Sequence, residues 1–270
     1  MTDQIISSSG IDSCKKVAEL WLYDCIKNHK CATDQDLQHL PTRVISIGET
    51  VHNLKLIETD HSPDRYICLS YCWGVSKTYD TTTKNRADRL RGMKYADMPK
   101  TYQDAVVMCH KLGIAFLWID ALCILQDCPD DWARESAQMA DIYSRSFLTL
   151  AANRAANVHA GLFHSTFQPE ARGTTAQGQP FRYLLAGNDV YQHFFGKWDD
   201  PALFPLLDRG WAFQETFLAP RTLHFEQAEL SWSCYAQRMC ECNVAASSIY
   251  KIQYAQALRD PTADGGKLAY

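Results

Sequence analysis

Apolar positions along this chain fall into two periods, and the switch between them outlines the fold. In VAELWLYDCI, residues 17–26, Ala18, Leu22, Cys25 and Ile26 lie near one helical face, and the polar KNHKCATDQDLQHLP after it reads as a loop. Two β-rich runs follow, RVISI at 43–47 and LKLIE at 54–58, with a turn-forming GETVHN between them, so a hairpin is expected. From Tyr66 the pattern changes. YICLSY reads as a buried strand, and TYQDAVVMCHKLG keeps Tyr102, Ala105, Val106, Cys109 and Leu112 at helical spacing until Gly113 closes the helix. IAFLWI supplies a second apolar strand ending at Asp120. A helix starting near Pro129 would carry Trp132, Ser136, Met139, Ala140 and Tyr143 on one face, and SFLTLAA gives a third strand.

This succession predicts an α/β fold: a mainly parallel, doubly wound sheet with strands near 66–71, 114–119 and 147–151, flanking helices, and β-hairpin additions at both ends. Between Phe167 and Gly178 the composition turns to Thr, Gln, Gly and Pro, which marks a surface insertion, taken to span about 165–205. RYLLA, RGWAFQETFLAPR and a second hairpin, TLHFEQAELSWSC, come next, and DPTADGGKLAY reads as a frayed or truncated end. The expected organisation is an extension over 1–60, a main domain over 61–242 and a tail over 243–270.

Composition narrows the function classes. A 270-residue chain with 46% apolar and 21% charged residues can build an ordinary hydrophobic core. No run approaches the ~20 apolar residues of a membrane-spanning helix, and the amino-terminal segment lacks a secretory pattern, so a cytoplasmic location is expected. Eleven cysteines are an odd number, and Cys68, Cys109 and Cys123 sit inside apolar runs, so reduced thiols without disulfides are expected. A net charge of −4 with no long Lys/Arg run argues against nucleic-acid binding.

Parallel sheets place ligands beyond the carboxyl ends of their strands, which directs attention to Ser70, Tyr71, Cys72, Trp73 and Gly74 after the first strand, and to Asp120, Cys123 and Gln126 after the second. Tyr71 and Trp73 can stack a planar ring or simply cover the sheet edge. Asp120 suits a general base, a ribose-hydroxyl acceptor or a helix cap. Glu135 falls in the first turns of its expected helix, where the dipole favours a carboxylate whatever the function. Glu215 follows Trp211 by four residues, so the two would share a face and offer a planar group a wall and a cationic transition state a fixed charge; equally, Glu215 could pair with Arg209 or Arg221 on the surface. Cys25, His29 and Cys31 cluster near one end of the chain and Cys234, Cys240 and Cys242 near the other. The spacing Cys-x3-His-x-Cys departs from a standard finger, so zinc is retained only as the weaker reading. Neither a Gly-x-Ser-x-Gly elbow nor a phosphate-binding P-loop motif occurs.

The stretch from YICLSYCWG through LWIDALCILQ, DWARESAQMADIY and GLF resembles the fungal heterokaryon incompatibility (HET) domain. The resemblance is carried by Leu69 to Gly74, Ala105, Leu117 to Gln126, Trp132, Glu135, Met139 and Tyr143, with similar flanks over about 17–242. It implies a role in fungal non-self recognition, where fusion of unlike cells triggers programmed death, and a kinship to TIR domains, which have a flavodoxin-like sheet and some of which cleave NAD⁺. The kinship implies that Glu215, in Trp-x-x-x-Glu, is the catalytic carboxylate, with Glu135 as its rival. It further implies that Ser70, Tyr71, Trp73, Gly74, Cys123, Gln126, Arg209 and Trp211 bind the nucleotide and that Asp120 accepts from a ribose hydroxyl. NAD⁺ would be substrate, with no prosthetic group. Two readings stay open: an NAD⁺ glycohydrolase, and a non-enzymatic domain that kills by self-assembly or by answering an upstream receptor.

Overall fold

The structure is a computed structural model that describes residues 10–29, 31, 38–74, 79–163, 170–174, 178, 180–184, 205–206, 209–226, 229–241, 245–247 and 251. In chain order the strands are β1 (Gln38–His39), β2 (Arg43–Ile47), β3 (Leu54–Glu58), β4 (Pro63–Asp64), β5 (Tyr66–Ser70), β6 (Phe116–Trp118), β7 (Leu148–Ala151), β8 (Glu170–Thr174), β9 (Pro180–Leu184), β10 (Arg221–Phe225), β11 (Leu230–Cys234), β12 (Gln237–Cys240) and β13 (Ala245–Ser247). The α-helices are α1 (Ile11–Asn28), α2 (Arg86–Arg91), α3 (Lys100–Lys111), α4 (Asp120–Cys123), α5 (Pro129–Ser136), α6 (Met139–Ser144) and α7 (Gly210–Phe217).

The main sheet runs β13-β12-β11-β10-β7-β5-β6-β2-β3. Its centre, β10-β7-β5-β6, is parallel. Antiparallel strands extend it on both sides, β2 and β3 beyond β6 and β11 to β13 beyond β10. The expected three strands are thus neighbours in one layer, and both hairpins form. The sheet is mixed, however, rather than mainly parallel, because each flank grows through short hairpin connections that need no crossover helix. The first strand of the second hairpin, β10, also has a role the sequence pattern did not suggest, since it pairs in parallel with β7 as the fourth central strand.

Every residue of β5 and β7 is buried, as strands covered on both faces must be. Alternate side chains of β5 and the residue after it show the two layers: Tyr71 meets Tyr102 of α3 on one face, and Tyr66 and Ser70 meet Ile142 of α6 and Glu215 of α7 on the other. Helix α3 buries Tyr102, Ala105, Val106 and Cys109 as its spacing predicts, and Gly113 ends it in a left-handed conformation (φ +69°). Helix α1 buries Cys14, Val17, Ala18, Leu22 and Cys25, but Ile26, expected on that face, is 50% exposed. The single helix expected after Pro129 breaks at residues 137–138 into α5 and α6, which leaves Trp132 half exposed while Tyr143 is buried. Most of the insertion and the tail lie outside the described residues. Within them β8 and β9 pair as a separate antiparallel hairpin.

A buried ion cluster ties the hairpin flank to the centre. Arg43, on β2, donates from Nε to the Cys123 carbonyl (2.6 Å) and from Nη2 to Asp131 Oδ2 (2.5 Å), with Glu135 Oε1 at 3.8 Å from the same nitrogen. Arg134 reaches the same two carboxylates from the surface. Burial alone would raise the pKa of Asp131, but the Leu125 amide and the Arg43 guanidinium outweigh it and hold the carboxyl below its ordinary range.

Candidate functional site

Among the parallel strands, chain order gives the spatial order 2-1-3-4, with β5 first, so the direction of winding reverses beside β5. A crevice beyond the carboxyl ends of the strands is the expected ligand position at such a reversal. The end of β5 brings side chains there from both layers. Ser70 turns toward α7, and its hydroxyl donates to Glu215 Oε2 at 2.5 Å. Tyr71 turns toward α3, where its hydroxyl lies 2.7 Å from that of Tyr102 and donates to Asp120 Oδ1 at 2.9 Å. Trp73 Nε1 donates to the other oxygen of Asp120 at 2.8 Å, and the Ala121 amide donates to Oδ1 at 2.7 Å. Arg209, the residue before α7, donates to the Tyr71 carbonyl.

Two buried carboxylates therefore flank the end of β5, Glu215 on the α7 side and Asp120 on the α3 side. Burial pushes the pKa of Glu215 up to about 7, the charge of Asp120 adds to the rise, and Ser70, Arg209 and Tyr143 oppose it. Burial likewise raises Asp120, against the donors from Tyr71, Ala121 and Trp73 and the charge of Arg209. A buried carboxyl group titrating near neutrality within electrostatic reach of a second carboxylate marks a candidate functional site.

The remaining expected residues separate into two groups. Trp211 and Glu215 do not share an environment: α7 packs inward through Ala212, against Cys72, Ala151 and Leu206, and through Glu215, while Trp211 in its first turn is 57% exposed. Gln126 holds the backbone, donating to the carbonyls of Asp120 (3.2 Å) and Ile124 (3.1 Å). Cys123 packs in the core with its thiol pushed up to about 12 by burial. Glu135 stands in the last turn of α5 rather than its first turns, so the dipole no longer favours it, and Arg43 and Arg134 stabilise it instead. Tyr102 and Tyr143 read in sequence as core-face residues, and only their hydroxyls give them a place here.

Gly74 carries the chain away from the site at φ +78°, and a Cβ there would come within 2.7 Å of Asn157 Cβ. Gly74→Ala is expected to cost roughly 1–3 kcal/mol from left-handed strain and the clash together. Gly113→Ala, at φ +69° with open space around it, should cost only the strain, about 1 kcal/mol. Thermal unfolding of both variants checks this, and equal losses would contradict the packing part.

A second constellation lies at the end of α1. Cys25, His29, Cys31 and Cys234 present ligand atoms within 4.8 Å of one another, a set that could hold a metal ion. Cys234, placed by its sequence position with the carboxy-terminal cysteines, joins the amino-terminal trio because β11 runs beside α1. Nine described cysteines are free thiols, but Cys240 is disulfide-bonded, which corrects the expectation of a fully reduced chain. No described helix is long and apolar enough to cross a membrane.

An α/β protein with a buried carboxylate on each face at the reversal of a parallel sheet is the class these features define. The sequence model of the heterokaryon incompatibility protein (HET) family matches residues 66–215, from the first residue of β5 to Glu215 itself, and the chain belongs to that family. No curated protein and no solved structure matches the chain. Membership links the chain to heterokaryon incompatibility and the cell death that accompanies it.

Proposed function

We propose that this HET domain acts as a death effector by hydrolysing the nicotinamide–ribose bond of NAD⁺, as TIR enzymes do. The observation that carries the reading is the buried Glu215 carboxyl held by Ser70 at the carboxyl end of the first parallel strand. In this reaction the C1′–N1 bond breaks, its electron pair goes to the pyridinium nitrogen, and neutral nicotinamide leaves. Water adds to the oxocarbenium-like C1′ and gives up a proton, leaving ADP-ribose. Ionised Glu215 stabilises the cationic centre, and a group with a pKa of about 7 can also receive the proton. Tyr71 and Asp120 form the opposite wall, with Asp120 accepting from a ribose hydroxyl. Trp73 and Gly74 contribute at the edge, Trp211 offers an exposed ring at the mouth, and Arg209 offsets diphosphate charge with its remaining donors. Gln126 and Cys123 then act only through the backbone they position. The cysteine–histidine cluster takes no part in this step, since its side chains stand on α1, the segment after it and β11.

One observation favours a second reading, assembly without catalysis. Leu20, Tyr23 and Ile26 leave an apolar stripe on the outer side of α1, exposed by 64%, 64% and 50%. Incubating the purified chain with NAD⁺ at several protein concentrations separates the two. Release of free nicotinamide is the expected result. A folded protein that releases none at any concentration would leave assembly as the function.

A further inference from the structure

We propose that Cys25, His29, Cys31 and Cys234 bind one structural Zn²⁺ that clasps the amino-terminal helix to the antiparallel flank of the sheet. All four donors lie outside the family-matched segment 66–215, on both sides of it. Cys25 sits in the last turn of α1 and His29 is its C-cap, and positions four apart share a helix face. The chain then folds back, with the Cys31 amide donating to the His29 carbonyl at 2.6 Å, so a third donor joins within two residues. Cys234, at the end of β11, closes the set from 205 residues beyond His29.

Three thiols and an imidazole are a donor set that structural zinc uses, and tetrahedral geometry sets the spacing. With Zn–S near 2.3 Å and Zn–N near 2.05 Å, sulfur and nitrogen ligands should stand about 3.6 Å apart. Cys234 Sγ and His29 Nδ1 are 3.5 Å apart. The widest separation of 4.8 Å must close by about 1 Å to the sulfur–sulfur edge of such a site, a movement within reach of side-chain rotation. Cys25, Cys31 and Cys234 are buried and crowded together, yet none of the three is in a disulfide.

The surroundings are those of a thiolate-bound cation. The amides of Ala236 and Gln237 both donate to Cys234 Sγ at 3.4 Å, hydrogen bonds that stabilise sulfur as an anion. On the far side of the imidazole, Asp24 Oδ2 accepts from Gln237 Nε2 at 3.0 Å and lies 3.8 Å from His29 Nε2, beyond hydrogen-bond range but placed where a carboxylate could close on the ring of a ligating histidine. Zn²⁺ with three thiolates and a neutral imidazole carries one negative charge, and the buried Lys251 stands close enough to interact with all three sulfurs. Four protein donors leave no position for water, so the ion is structural rather than catalytic.

The test uses the full chain purified without chelator and is independent of NAD⁺ cleavage. Elemental analysis is expected to find one equivalent of zinc, lost from Cys25→Ser and Cys234→Ser. A strong chelator should remove the ion and lower the melting temperature, and zinc added back should restore it. Because the serine variants can fail to fold, Co²⁺ replacement in the wild type gives a second readout: intense tetrahedral d–d bands with sulfur-to-cobalt charge transfer. His29→Cys keeps four donors, so it should retain the metal and shift those bands to longer wavelength. Folded wild-type protein with neither zinc nor tetrahedral cobalt bands, or serine variants that keep a full equivalent, would overturn the proposal.

Discussion

Glu215→Gln is expected to lower NAD⁺ cleavage by roughly 10²–10³-fold or more, the loss typical of removing one electrostatic stabiliser of a transition state. The amide keeps the shape and can still bond to Ser70, but it carries no charge toward a cationic C1′ and cannot take a proton from water. Stability should move the other way. An unfolded glutamate titrates near 4.3; in the fold Glu215 titrates at about 7. Between those values the folded state holds the extra proton, so raising the pH through that window destabilises the wild type, by an amount on the order of 3 kcal/mol. Glu215→Gln lacks this slope, so its melting temperature should equal or exceed that of the wild type at pH 8. Glu135→Gln should show the reverse pair of effects, near-normal turnover and a loss of about 1–3 kcal/mol, because it weakens the contacts with Arg43 and Arg134. Turnover and thermal scans of both variants decide the matter, and a Glu135→Gln protein that folds but cannot cleave NAD⁺ would reassign the carboxylate.

Arg43→Met should cost about 3–5 kcal/mol, because it leaves Asp131 and Glu135 buried without their interior cation and the Cys123 carbonyl without its donor. Arg134 still reaches both carboxylates from the surface, which favours the lower part of that range. In a chain of this size the loss corresponds to a fall in melting temperature on the order of 10 °C. The pH dependence identifies the cause. A carboxyl with a depressed folded pKa contributes stability above its unfolded pKa and loses it as the pH falls through the folded one. The difference between wild type and variant should therefore shrink below about pH 4. Denaturant or thermal unfolding measures it, and a variant as stable as the wild type at pH 7 would show that the cluster contributes nothing net.

Local patterning made the centre of this fold legible, and long-range pairing hid the rest. YICLS, FLW and LTLA read as buried strands because both faces of a parallel sheet are covered, so their apolar runs are unbroken. TLHF read equally well as half of a hairpin, and its second partner, β7, leaves no trace in its own sequence. The same divide runs through the site. Ser70, Tyr71, Trp73 and Asp120 stood out because strand ends are short and their position is local. Trp211 and Glu215 were paired by helical spacing, but α7 has only eight residues and its inward side is set by Ala212 and Glu215. Cys234 could not be assigned to the trio of Cys25, His29 and Cys31, since nothing near it in sequence distinguishes a strand-end thiol from an apolar filler. Arg43 is simply the first residue of the run RVISI in the sequence, and only its distant partners in α5 reveal its place.

Ser70 and Glu215 meet from two elements that are held in different ways. Strand β5 is buried at every residue and hydrogen-bonded on both sides, so Ser70 and Tyr71 hang from a part of the molecule that moves only when the sheet itself opens. Helix α7 rests on a small patch formed by Cys72, Ala151, Leu206 and Ala212, and it carries Glu215. The position of Ser70 is thus fixed by the sheet, whereas that of Glu215 is set by how α7 seats itself, so the bond between them reports the packing of one short helix.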